Sequence, residues 1–84
     1  MTDQEFDVLD ELYFVIPFEE LLEAVDMEEA ELYSILKELL KKKWVKCYRD
    51  HSEELLPHEV EIDHQYKEYS YLATKIGLLA HNGR

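Results

Sequence analysis

The sequence holds one cysteine, two glycines and two prolines in 84 residues, and not one lysine or arginine before Lys37. Cys47 alone cannot close an internal disulfide, so a reducing cytoplasm is the simplest compartment. With only Gly77 and Gly83 available, no Gly-rich phosphate loop can be built, and Ser34, Ser52 and Ser70 lack the flanking glycines of a nucleophile elbow. Catalysis is therefore not expected, and no cofactor is implied. No apolar run approaches the roughly 20 residues that cross a bilayer. The acidic start, Thr2 to Glu5, has neither the basic region nor the apolar core of a signal peptide. No membrane partner is expected.

The missing cations matter most. From Met1 to Leu36 there are twelve carboxylates and no basic side chain, whereas Lys37 to Arg84 carries nine basic residues against eight acidic ones. The net charge of −11 thus lives in the first half of the chain. Such a field repels phosphodiester backbones, because nucleic-acid affinity rests on Lys and Arg displacing condensed counterions. The bland reading of the same acids is solubility.

A hydrophobic fraction of 46% with ten aromatic residues suffices for a core, and 84 residues leave room for one domain, folding alone or as a homodimer. Leu32, Ile35, Leu36, Leu39 and Leu40 recur at spacings of three and four, which predicts a helix over 26–43 with one apolar stripe. Asp26 with Glu29 three residues on resembles a capping box for its start. The helix feeds a strand over 44–49, where large and charged residues alternate. Upstream, Phe6, Leu9, Leu12, Tyr13 and Ile16 predict a first helix over 3–16, stopped by Pro17. Phe18, Leu21, Leu22 and Val25 predict a second helix over 17–25, with Met27 as the plug of the turn that follows. Downstream, Glu59 to Asp63 alternate as a strand would, a bulge or turn near Lys67 and Glu68 should reset the phase, and a closing helix is expected over 75–81.

The run PFEELLEAVDMEEAELYSILKELLKKKWV, two helices joined by a tight turn with the second running into a strand, resembles the helix-turn-helix of small winged-helix transcriptional repressors. The later run YSYLATKIGLL is similar to the end of their wing, with Thr74, two further residues, Gly77 and a final helix. The resemblance implies an α+β, mostly helical fold: a single winged helix-turn-helix domain over 1–84 with an elongated wing over 50–74. Lys43 stands where such repressors often carry a helix-ending Gly. The start of the third helix, which enters the major groove in DNA-reading members, here presents Glu28, Glu29, Glu31, Tyr33 and Ser34.

Two functional expectations follow. The first is a non-enzymatic interaction module whose acidic face binds a protein partner, or which self-associates as a dimer through its first and last helices. Glu28, Glu29, Glu31, Tyr33, Tyr69 and Tyr71 are its partner-binding candidates, with Tyr66, Tyr69, Tyr71 and the tip Leu55 to Pro57 expected at the surface. The second is a DNA-binding transcriptional regulator using Lys37, Lys41, Lys42, Lys46 and Arg49, a cluster whose ordinary explanation is cations gathering at a helix C-terminus. Cys47, His51, His58 and His64 fit no recognised zinc spacing, so no metal is expected.

Overall fold

A computed structural model describes residues 1–50 and 52–83. Helix α1 (Asp3–Asp10) leads into a two-residue strand β1 (Ile16–Pro17), followed by α2 (Phe18–Ala24), α3 (Glu29–Lys41), β2 (Val45–Arg49) and β3 (Glu53–Glu54). A 3₁₀ turn (Pro57–Glu59), a single helical turn α4 (Ile62–Gln65) and a second 3₁₀ turn (Tyr66–Glu68) precede β4 (Tyr69–Ala73) and α5 (Lys75–Asn82). The strands form one antiparallel sheet in the order β1-β4-β2-β3. The α+β, largely helical architecture expected from sequence is what the chain adopts.

The core lies between this sheet and the helices. In the register of β2 on β4, Val45, Cys47 and Arg49 stand opposite Ala73, Tyr71 and Tyr69, so these pairs share a face. All but Arg49 are buried there against Val8, Leu9 and Leu12, then Phe18 and Leu21, and Leu32, Leu36 and Leu39 of α3. Met27 packs against the same core from the α2–α3 turn, as its place in the sequence suggested.

The first helix is shorter than its apolar spacing predicts. It ends at Asp10, with the Glu11 and Leu12 amides bonding back three residues to Val8 and Leu9. Residues 13–16, Tyr-Phe-Val-Ile, are aromatic and β-branched, types better fitted to a pleated edge than to a helix. Ile16 pairs with Tyr71 and Pro17 with Ser70 at the edge of the sheet, where a missing amide is tolerated.

Helix α3 also departs from expectation at both ends. Its N-cap is Glu28, without a side-chain cap, and the Asp26–Glu29 capping box does not form. The Glu29 carboxylate is taken instead by the Tyr66 hydroxyl at 2.6 Å and Lys67 at 3.1 Å. At the far end Lys43 adopts φ 64°, the left-handed conformation that glycine favours. The Lys43 amide bonds to the Leu40 carbonyl at 3.0 Å and the Trp44 amide to that of Leu39 at 2.9 Å, which is a Schellman cap. The residue that looked wrong for the cap performs it.

The predicted strand over Glu59–Asp63 is absent; of the bulge or turn expected near Lys67 and Glu68, the chain makes the turn. Pro57 opens a 3₁₀ turn whose end is tied by Glu59 accepting from the Leu56 amide at 2.8 Å. Val60 and Ile62 both turn toward the core, and a 3₁₀ turn, not a bulge, leads into β4. His51, named among the metal candidates, lies outside the described residues.

Two details anchor the C-terminal helix. The Thr74 hydroxyl caps α5 by accepting from the Gly77 amide at 3.1 Å while donating to the Lys43 carbonyl at 2.8 Å. A Cβ on Gly77 would stand 2.1 Å from the Trp44 carbonyl oxygen, so only glycine allows the helix to approach β2 this closely.

Candidate interaction surfaces

The predicted basic edge is occupied by the chain's own carboxylates. Lys37 pairs with Asp63 at 3.0 Å, Lys41 with Glu38 at 3.6 Å, Lys42 with Glu5 at 2.7 Å, Lys46 with Glu54 at 3.1 Å and Arg49 with Glu53 at 3.7 Å. With Lys43 added, six cations face five carboxylates along this edge, which leaves about one net positive charge. The pairs shift their members in opposite senses. Asp63 is held below the usual carboxylate range by hydrogen bonds from Tyr33 and Lys37, while Lys37 and Lys46 are pushed up by Asp63 and Glu54.

Glu5 is the most constrained acid. It is buried, and burial pushes its pKa up. The hydrogen bond from Lys42 and that from the Thr2 amide outweigh burial and hold it below the ordinary value. Its side chain closes the capping box of α1, accepting from the Thr2 amide at 3.0 Å while its own amide donates to the Thr2 hydroxyl at 3.0 Å. One carboxylate thus caps α1 and ties it to the last turn of α3.

The acidic surface is of a different kind. Glu19, Glu20 and Glu23 of α2, Asp26 in the turn and Glu28 at the N-cap of α3 are all exposed, and among the described residues none of them forms an ion pair, Lys67 acting on Glu19 only from a distance. Of the three carboxylates expected to mark this face, Glu28 and Glu31 are exposed, and Glu31 accepts from the Gln4 side chain at 3.2 Å. Glu29 is half-buried and spent internally; the Tyr66 hydroxyl, then Lys67, hold it below its usual range. Tyr33 is also half-buried: it stacks on Tyr66 with ring centroids 4.6 Å apart, and its hydroxyl donates to Asp63. The segment 61–68 therefore covers the flank of α3 that carries Glu29 and Tyr33.

Tyr69 and Tyr71, expected at the surface, are buried. They share the inward face of β4 with Ala73, opposite Val45 and Cys47, and their hydroxyls are satisfied inside. Tyr71 donates to the Tyr66 carbonyl at 2.7 Å and Tyr69 accepts from the Glu61 amide at 2.9 Å. Tyr66 is half-buried, and in the Leu55 to Pro57 tip Leu55 is buried while Leu56 and Pro57 are exposed. Cys47 is sealed in the core, where burial raises its thiol to about 12, so it stays protonated. Among the described residues no three His, Cys, Asp or Glu side chains converge as metal ligands.

Of the exposed apolar residues Phe14 escaped the sequence reading, whereas those of α5 lie on the last helix, where a dimer contact was expected. Phe14 is 81% exposed in the α1–β1 turn, and Ile76 and Leu79 are 59% and 63% exposed on α5. Tyr13, beside Phe14, ties this turn to the end of α5: its hydroxyl donates to Asn82 at 2.8 Å and lies 3.1 Å from Nδ1 of His81. His81 is buried, stacked on Phe6 at 4.2 Å, with Nε2 3.2 Å from Asp10 but not aligned for a hydrogen bond. Phe14 had a signal, since it falls outside the apolar stripe of the first helix. Compared with protein families, with curated proteins and with solved structures, the chain matches none.

Proposed function

We propose that the chain is a non-enzymatic winged-helix interaction module that binds a protein partner through the acidic surface of α2 and the α2–α3 turn. Three features support the winged-helix part. The order runs helix, strand, helix, helix, strand and returning strand; the α2–α3 connection is a four-residue turn, 25–28; and β1, β4 and β2 lie side by side in one antiparallel sheet. The observation that carries the functional part is the division of charge: five of the six cations of the Lys37–Arg49 edge are matched by internal carboxylates, while the acids from Glu19 to Glu28 stay exposed and form no ion pair among the described residues.

Magnitudes favour this reading over a DNA-binding regulator. Exposed ion pairs are worth only about 0–1 kcal/mol each, so the pairs by themselves would not keep five cations from phosphate. Five of the six cations bring a carboxylate to the same surface, however, and the chain as a whole carries −11, so a polyanion long enough to span the chain meets net repulsion. A basic protein surface meets the reverse.

The test uses an arginine-rich peptide as probe. Binding should weaken steeply with salt. It should fall at least about tenfold when Glu23, Asp26 and Glu28 are changed to Lys, several pairs being worth about 1.4 kcal/mol together. The same number of reversals at Asp7, Glu11 and Glu59 should cost much less. Equal losses in the two variants would reduce the effect to overall charge and remove the site. A second reading, self-association, is favoured by the exposure of Phe14, Ile76 and Leu79 on the side of α1 and α5. Light scattering on the chain and on its Phe14→Glu and Leu79→Glu variants tests it: a dimer that becomes a monomer supports it, and a monomer at all concentrations excludes it.

A further inference from the structure

A groove of about 480 Å³ opens between the C-terminal half of α3, strand β2 and the segment that follows β3. Its floor and walls are apolar: Leu40 from α3, Val45 and Cys47 from β2, and Leu55, Val60 and Ile62 from the returning segment. Leu40, Val60 and Ile62 are only partly buried, so this wall is left open to solvent within the fold itself. The rim carries Lys37, Lys41, Lys43 and Lys46 with Glu54, and since Asp63 and Glu38 stand beside Lys37 and Lys41, about one net positive charge is left there. In a chain of −11 this is a local inversion of sign.

The rim lysines differ in availability. Lys37 is held by Asp63 at 3.0 Å and Lys46 by Glu54 at 3.1 Å. Lys41 reaches Glu38 only at 3.6 Å with its side chain 77% exposed, and Lys43 has no carboxylate partner among the described residues. The two available ammonium groups therefore leave the last turn of α3 and its cap, at one end of the apolar wall. Between Lys37 and Lys43 that wall runs about 9 Å along the helix.

We propose that this groove binds a small amphiphilic anion, an aliphatic or aromatic carboxylate whose apolar body lies on Leu40, Val60 and Ile62 and whose carboxylate is met by Lys41 and Lys43. The excess of lysine on the rim disfavours a cationic ligand, and the apolar walls disfavour a bare inorganic anion. The volume selects a small molecule over a docked helix: a cylinder about 10 Å across fills about 480 Å³ in roughly one helical turn, whereas ligand cavities span about 300–1,000 Å³. This site is independent of the acidic surface of α2 and stands whether or not that surface binds a protein.

The experiment is a titration of the full isotopically labelled chain, followed by amide chemical shifts. The probes are decanoate, decanol and decyltrimethylammonium, each kept below its aggregation threshold. Decanoate should bind with a Kd of about 0.1–1 mM, from the free energy per heavy atom that ligands of this size attain. Its shifts should be centred on Leu40, Val60 and Ile62. Decanol should bind about tenfold more weakly, two exposed charge contacts being lost, and the cationic probe more weakly still. Lys41→Gln with Lys43→Gln, two surface changes, should bring decanoate down to the decanol level, and Val60→Trp should block both. Equal affinity for decanoate and decanol, no response to the lysine changes, or shifts centred on Phe14, Ile76 and Leu79 would each overturn the assignment, as would the absence of binding.

Discussion

Replacing Glu5 by Ala removes a group that works in two places, and its cost can be worked from the geometry. The hydrogen bond from the Thr2 amide, 3.0 Å, is a neutral donor to a charged acceptor at a helix start; losing the cap is worth about 1 kcal/mol. The bond from Lys42, 2.7 Å, joins a carboxylate with 6% of its side chain exposed to an ammonium with 37% exposed. Lys42 can return to water when Glu5 is gone, so this second loss belongs near the low end for charged hydrogen bonds, about 1–1.5 kcal/mol. The sum is about 2 kcal/mol, or a fall of about 2 M in the urea midpoint if the slope is about 1 kcal/mol per molar. Glu5→Gln keeps the acceptor for Thr2 and should cost about half as much. Lys42→Ala should cost as much as Glu5→Ala, because it strands a mostly buried carboxylate.

The sign of the pH dependence follows from the direction of the shift. The folded-state pKa of Glu5 is depressed, so its contribution is present above its unfolded value, about 4.3, and is lost as pH falls through the folded value. Wild type and Glu5→Gln should therefore differ at pH 7 and converge as the pH drops below about 4. Urea unfolding followed by far-ultraviolet circular dichroism measures both. A Glu5→Ala variant within about 0.5 kcal/mol of wild type, the size of an ordinary surface change, would refute the reasoning, as would a Gln variant whose deficit persists undiminished in acid.

Three further substitutions probe the frame. Lys43→Gly should stabilise the chain by about 0.5–1 kcal/mol, relief of the left-handed backbone outweighing the added freedom of the unfolded state, read as a higher urea midpoint. Gly77→Ala would gain up to about 1 kcal/mol of helix propensity anywhere else. Here the new methyl meets the Trp44 carbonyl and α5 must move, so a net loss of at least about 2 kcal/mol is expected, with the α5 amides losing hydrogen-exchange protection. Tyr71→Phe leaves the Tyr66 carbonyl without its donor at 2.7 Å and should lower the melting temperature by about 5 °C, from about 1 kcal/mol in a domain of this size.

The helices α2 and α3 were legible because their stabilising contacts repeat along one stripe of a continuous segment, Phe18 and Leu21 in one, Leu32, Leu36 and Leu39 in the other. Strand β1 was not, since two residues give no period and Ile16 joins the sheet only because β4 arrives beside it. Thr74 and Gly77 were visible as a pattern, but their reason, the hydrogen bonds of Thr74 to the Lys43 and Trp44 carbonyls and the close approach of Gly77 to the latter, exists only once α5 docks. Tyr69 and Tyr71 show the same limit: alternation placed them on one face without saying which face was inside. For the candidate surfaces, the division of charge along the chain was plain. The pairing of Lys42 with Glu5, 37 residues away, and of Lys37 with Asp63 was invisible, because ion pairs between distant elements follow from tertiary geometry.

On the reading proposed above, the scaffold presents no cationic face extensive enough to hold a polyanion. The direct measurement is fluorescence anisotropy of a labelled random-sequence duplex titrated with the chain at low ionic strength, where electrostatic attraction is strongest. No rise in anisotropy is expected there. Saturable binding that weakens with added salt, and that disappears when Lys41, Lys42 and Lys46 are neutralised, would contradict that reading.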